Sequence, residues 1–152
     1  NPQMGGPSYK PFSISSFGSS FYKIRDQEGP QFDRRSIYRM NVNSGKDPLL
    51  DVFDCPDPSV KTPRRRSTTT PLQALSLMNN SLVQRLAKSF AARLQQEAGE
   101  TKANSIEQAW LYAFARKPTG AERGQCEALV KEHGLETACW VIFNASEFLY
   151  VR

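Results

Sequence analysis

The chain has 152 residues, a hydrophobic fraction of 39%, nine Phe, five Tyr, two Trp and a formal net charge of +5. One domain usually takes about 100–200 residues, and this aromatic content is enough for a core, so a wholly disordered chain is excluded. The longest apolar runs, around Trp140 to Phe143, fall far short of the roughly 20 residues a membrane helix needs, so no membrane span is expected.

The chain opens at Asn1-Pro2-Gln3 with neither an initiating methionine nor a basic-then-apolar leader. It therefore reads as a piece of a longer or processed polypeptide, with any export signal upstream. Residues 1–33 carry Gly5-Gly6-Pro7, Pro11, Gly29-Pro30 and several serines, the composition of extended, turn-rich chain in which no regular element is forced. The aromatics of this arm, Tyr9, Phe12, Phe17, Phe21, Tyr22 and Phe32, are too many for a free linker, so the arm is expected to lie across a folded surface. From Ser36 to Val42 apolar residues alternate imperfectly, which predicts one short strand. Its partner would be near Phe21 to Ile24 or in upstream sequence.

The stretch from Phe53 to Asn80 mixes acidic, basic and helix-start signals. Residues 1–70 hold 11 basic and 7 acidic side chains, against 9 and 8 in residues 71–152, so the basic excess belongs to the first half. It is densest at Arg64-Arg65-Arg66, with Arg34-Arg35 a second pair. Arginine forks can hold phosphate, sulfate or carboxylate, which makes Arg64, Arg65 and Arg66 candidate anion-binding residues. Asp54 and Asp57 are the candidate acid and base, since two carboxylates near cations can have their pKa values driven apart. The structural alternative is that the arginines pair with Asp51, Asp54 and Asp57, while the aspartates flanking Pro56 cap backbone amides on a turn. The paired arrangement, with at least two of the three arginines at salt-bridge distance from carboxylates, is the expected one.

Helical signals begin at residue 70. Thr70-Pro71-Leu72-Gln73 places a capping threonine, a proline at the first helical position and a glutamine able to reach back. A short helix to Met78 should follow, then a break at Asn79-Asn80-Ser81 and an amphipathic helix over 81–97 on the stripe Leu82, Leu86, Phe90 and Leu94, widened by Val83 and Ala87. Capping boxes at Asn104 to Glu107 and Thr119 to Glu122 start two more helices, the latter ended by Gly134. A last helix is predicted over Glu136 to Phe148, with Cys139, Ile142 or Phe143, and Phe148 towards the core. The fold class is mainly α: residues 71–152 form a small antiparallel helical bundle filled by Trp110, Phe114, Trp140, Phe143 and Phe148. Residues 1–70 form a long irregular arm packed on it, with at most one short strand pair.

Cys55, Cys126 and Cys139 lack the spacing of a zinc site, a redox C-x-x-C or a haem-attachment C-x-x-C-H, so no metal and no cofactor are expected in this chain. Cys126 and Cys139 fall on consecutive helices and could bridge in an exported protein, but buried free thiols fit better. His133, the only histidine, precedes Gly134 where it would meet a helix C-terminus favourably.

Arg34-Arg35-Ser36-Ile37-Tyr38, the Phe53 to Asp57 loop, the run Arg64 to Thr70, Pro71 to Leu75 with Met78-Asn79, the Arg116 to Thr119 turn with Glu122, and the closing Asn144 and Glu147 to Val151 together resemble the planctomycete PSD-type C-terminal domain of unknown function. The opening Asn1 to Pro7 is similar to an internal stretch of that family. The resemblance implies an exported protein, periplasmic or extracellular, whose partners are other domains of the same polypeptide, often a cytochrome c domain. It brings no catalytic residue.

Three classes of function follow. The first is a non-catalytic module presenting a surface to polysaccharide or to a redox partner domain. The second is part of an enzyme site for a sulfated or uronic glycan, built on Asp54, Asp57 and the arginines. The third, nucleic-acid binding through Arg64 to Arg66 and the arm aromatics, is disfavoured because the helical half is almost neutral.

Overall fold

Phe12 and Ile14 alternate with serines, and this short pattern builds a β-hairpin. In the computed structural model, which describes all residues except 2, 18, 44, 99–101 and 151–152 and leaves aside the side chains of 16–21 and 102–104, strands β1 (Phe12–Phe17) and β2 (Ser19–Ile24) pair antiparallel. The register runs from Phe12 opposite Ile24 to Phe17 opposite Ser19. Phe12 is buried and meets Tyr22 edge-on at 5.0 Å, and the Arg25 amide donates to the Pro11 carbonyl at 2.8 Å to close the open end. The strand pair expected somewhere in the first half is therefore this hairpin, and the arm is ordered where no regular element was foreseen. The closing motif's Val151, the side chains of Phe17 and Phe21, and the capping side chain proposed for Asn104 lie outside the described residues.

Two compact units make up the chain, Asn1–Thr70 and Pro71–Arg152. In the first, the strand predicted over Ser36 to Val42 is a 3-10 turn at Ser36–Tyr38 followed by an isolated parallel bridge between Arg39 and Tyr9. The Tyr9 amide donates to the Tyr38 carbonyl at 3.0 Å and the Met40 amide to the Tyr9 carbonyl at 2.9 Å. Phe21 to Ile24, the partner foreseen for this segment within the chain, pairs with β1 instead. Arg34 lies over the Tyr38 ring at 4.1 Å and donates to the carbonyls of Pro7 and Gly5, while the Tyr38 hydroxyl accepts from the Gly5 amide. The Arg34 half of the second basic pair thus ties down the arm. A short helix not foreseen from the sequence, α1 (Pro48–Val52), completes the unit.

The second unit is helical: α2 (Pro71–Asn79), α3 (Ser81–Ala98), α4 (Lys102–Phe114), α5 (Gly120–Phe143) and α6 (Ser146–Leu149). Helix α2 starts at Pro71 and ends at Asn79, where the proline and the Asn79-Asn80-Ser81 break place its bounds. Helix α3 buries Val83, Ala87, Ala91 and Leu94, so the inner face takes the Val83–Ala87 flank of the predicted stripe together with Leu94, and Leu86 is exposed. The small alanines let α3 approach its neighbours closely, and the larger Phe90 packs at the flank.

Helix α4 begins at Lys102, before the predicted cap, so Ser105 is a buried helical residue. The box at Thr119 is present in full: the Glu122 amide donates to Thr119 Oγ1 and the Glu122 carboxylate accepts from the Thr119 amide. Helix α5 breaks at Gly134, whose φ of 86° and ψ of 164° are non-helical. The last predicted helix is also interrupted, because α5 ends at Phe143 and Asn144 turns the chain into α6.

Leu94, Ile106 and Cys139 are the largest fully buried side chains. Of the aromatics expected to fill the bundle, Trp110 is buried, Phe114, Trp140 and Phe143 are partly buried, and Phe148 is exposed while stacking on Phe143 at 5.2 Å. Arg116 forks onto both Glu122 and Glu147, tying the start of α5 to α6. That pairing and the Thr119 amide hold the Glu122 carboxyl down at about 2.

Candidate functional site

Asp47 precedes Pro48 and caps α1, accepting from the amides of Leu49 at 2.9 Å and Leu50 at 3.0 Å through one oxygen. Its other oxygen lies 3.2 Å from Arg39 Nη2, an ion pair without the alignment of a hydrogen bond. The Arg39 side chain is only 9% exposed, and its Nε has no hydrogen-bond partner. These two residues form one wall of a cleft of about 410 Å³ within the first unit.

In the same cleft, Lys46 Nζ stands 3.1 Å from Asp57 Oδ2 and 3.7 Å from Asp51 Oδ1. The hydrogen bond that Lys46 donates to Asp57 leads the effects that raise the lysine pKa. Asp57 also accepts from the Ser59 amide at 2.9 Å, and that bond, with Lys46, lowers its own pKa. Asp57 is therefore an ionised turn former bridged to a lysine, the capping role the sequence allowed for a residue beside Pro56.

Asp54 is turned elsewhere. With φ of 58° it follows the end of α1 in the left-handed region and accepts from the Thr68 hydroxyl at 2.8 Å and the Thr68 amide at 2.7 Å. Those bonds lower its pKa, with the charges of Arg65 and Arg66 adding to the effect. Asp54 does not line the cleft, so the sequence-paired candidates Asp54 and Asp57 do not converge on one site.

The expected pairing of the arginine run is absent. Arg64, Arg65 and Arg66 make no ion pair with a carboxylate among the described residues, because Thr68 and Lys46 already occupy Asp54 and Asp57. Arg65 instead donates from Nη2 to the Phe53 carbonyl at 3.0 Å and lines the cleft, whereas Arg64 and Arg66 do not line it. Arg65 is thus the residue of the run that reaches the site, joined by Arg39 and Lys46, which sequence reasoning missed. The signal available for this wall was Asp47-Pro48, a helix cap followed by proline at the first helical position.

Cys55 lines the same cleft and is exposed, while Cys126 and Cys139 are buried and unbridged. Burial raises both buried thiols, Cys139 to about 12. Among the described residues no group of His, Cys, Asp and Glu could hold a metal ion, and no helix is long and apolar enough to cross a membrane.

The arrangement can hold charge. Asp57 is engaged by Lys46 and the Ser59 amide, Asp47 by Arg39 and the start of α1, and Arg65 lines the cleft with guanidinium donors beyond the one it gives to Phe53. The chain matches no curated protein and no solved structure. A family model matches residues 1–130, a range that takes in the whole cleft and leaves the closing motif at Asn144 and Glu147 outside it. The chain belongs to this family, PSD1, described as a protein of unknown function (DUF1553).

Proposed function

We propose that the chain is a non-catalytic module of a longer exported bacterial polypeptide, working beside other domains, a cytochrome c domain among them, and presenting its first unit to polysaccharide. The observation that carries this reading is the engagement of both candidate catalytic carboxylates. Asp54 and Asp57 each accept from a backbone amide, and their pKa values are lowered. A general acid needs the opposite shift, so that it still carries a proton near neutral pH. The exported setting rests on the resemblance of the chain's motifs to the planctomycete domain.

The test is to incubate the 152-residue chain with a panel of sulfated and uronic polysaccharides. Reducing ends and free sulfate are measured in solution, and retention is measured on the insoluble forms. Retention without release of either product is expected. Product release that disappears in Asp57→Asn would replace this reading with the enzyme reading.

A further inference from the structure

We propose that the cleft of the first unit is a binding site for a singly charged oxyanion, a carboxylate or a sulfate ester, received by Arg65 and carried on a molecule with an apolar face. The proposal deepens the reading of the chain as a binding module by giving the cleft a ligand class. Arg65 lines the cleft, spends one hydrogen bond on the Phe53 carbonyl and has no carboxylate partner among the described residues. A guanidinium in a concave site with donors left over is the group that recognises planar or tetrahedral oxyanions through paired N–H bonds. Arg39, another lining residue with its side chain nine-tenths buried and its Nε unpartnered, adds a second cation already shared with Asp47.

The rest of the lining sets the charge and the body of the ligand. Asp47, Asp51 and Asp57 line the cleft against Arg39, Lys46 and Arg65, so the site is neutral when empty. One negative charge can be met by Arg65, but a second would meet only Arg39 and Lys46, which are already engaged by the three carboxylates. That selects against a phosphate dianion. Ile37, Met40, Leu50, Pro56 and Pro58 supply apolar wall, and about 410 Å³ is within the usual range for a small-molecule site.

Cys55 provides the readout, because it lines the cleft and is exposed while the other two thiols are buried. The full chain is alkylated with iodoacetamide at pH 8 under native conditions, and the rate at Cys55 is followed by mass spectrometry. Benzoate, phenyl sulfate, phenyl phosphate and benzamide are added in turn, four probes that share a ring and differ in head group. Benzoate and phenyl sulfate are expected to slow alkylation, and whichever does so at the lower concentration identifies the preferred head group. Phenyl phosphate and benzamide are expected to protect weakly or not at all.

Arg65→Ala should raise the half-protecting concentration roughly ten- to a hundred-fold, the scale of one charge-assisted contact. Arg64→Ala should leave it unchanged. If Arg65→Ala does not fold, Arg65→Lys decides, because it keeps the charge and loses the fork and should still weaken protection. Equal protection by all four probes, equal protection by phenyl phosphate and benzoate, or protection indifferent to Arg65 would each overturn the proposal. None of these results depends on polysaccharide turnover, so the module reading and the oxyanion site can fail separately.

Discussion

At the scale of single residues, backbone conformation marks where the sequence is under strain. Asp54 and Ala115 are the two non-glycine residues with positive φ among those described, at 58° and 55°. Asp54 has a reason to be there, since aspartate tolerates the left-handed region and its carboxylate is occupied by Thr68. Ala115 has none beyond ending α4, where its amide still donates to the Leu111 carbonyl. Ala115→Gly should therefore stabilise the chain by about 0.5–1 kcal/mol, the relief of left-handed strain less the extra entropy of glycine, as read from a denaturant melt. Asp54 could be recognised in the sequence as a turn former but not as the partner of Thr68, because that contact spans 14 residues of chain with no periodic signal to connect them.

Helices and their caps make up the next scale, and here the sequence was most readable. The box from Thr119 to Glu122 was legible because every group in it lies within four consecutive residues. Thr119→Ala should cost about 1 kcal/mol in a denaturant melt, and the same loss is expected for Thr70→Ala at the start of α2. Gly134→Ala should cost about 1–3 kcal/mol. An added Cβ there meets no atom within 4 Å, so the whole penalty comes from a backbone conformation that is essentially open to glycine alone.

Glu122 adds a pH dependence. Its carboxyl is held at about 2 against an ordinary 4.5, so its contribution is complete above 4.5 and fades as the pH falls towards 2. Arg116→Ala should flatten the acid side of the stability profile over that window. The hairpin was less readable than the helices. Serine-rich strands have little apolar alternation, and Ile14 on β1 is exposed, so half the usual signal is missing. On α3 the predicted stripe held Val83, Ala87 and Leu94, which are buried, but missed Ala91, because alanine is a weak marker of burial in a sequence, and it included Leu86, which is exposed.

For the whole molecule, the two units differ in how they are held together. The second has a continuous core of ten buried residues drawn from α3, α4 and α5, and Leu94→Ala within it should cost about 2–5 kcal/mol. In the first, Phe12 is the buried large apolar side chain among the described residues, and polar contacts such as those of Arg34, Asp47 and Asp54 carry more of the structure. A fragment of residues 71–152 should consequently keep helical circular dichroism and melt cooperatively by itself. The absence of a cooperative transition would show that its core is insufficient. The cleft was legible only in part for the same reason. The arginine run could be seen in the sequence, but its partition into one cleft residue and two bystanders depends on Asp47, Lys46 and Phe53, which only the folded chain brings near.

Arg116 carries a consequence for how such chains can diverge. It satisfies Glu122 and Glu147 together through Nε and both terminal nitrogens, a division that a lysine, with a single nitrogen, cannot reproduce. Positions 116, 122 and 147 should accordingly be inherited as a set. A relative that has lost the acid at 147 is released from the need for arginine at 116, and lysine should appear there first in chains whose final helix has drifted away.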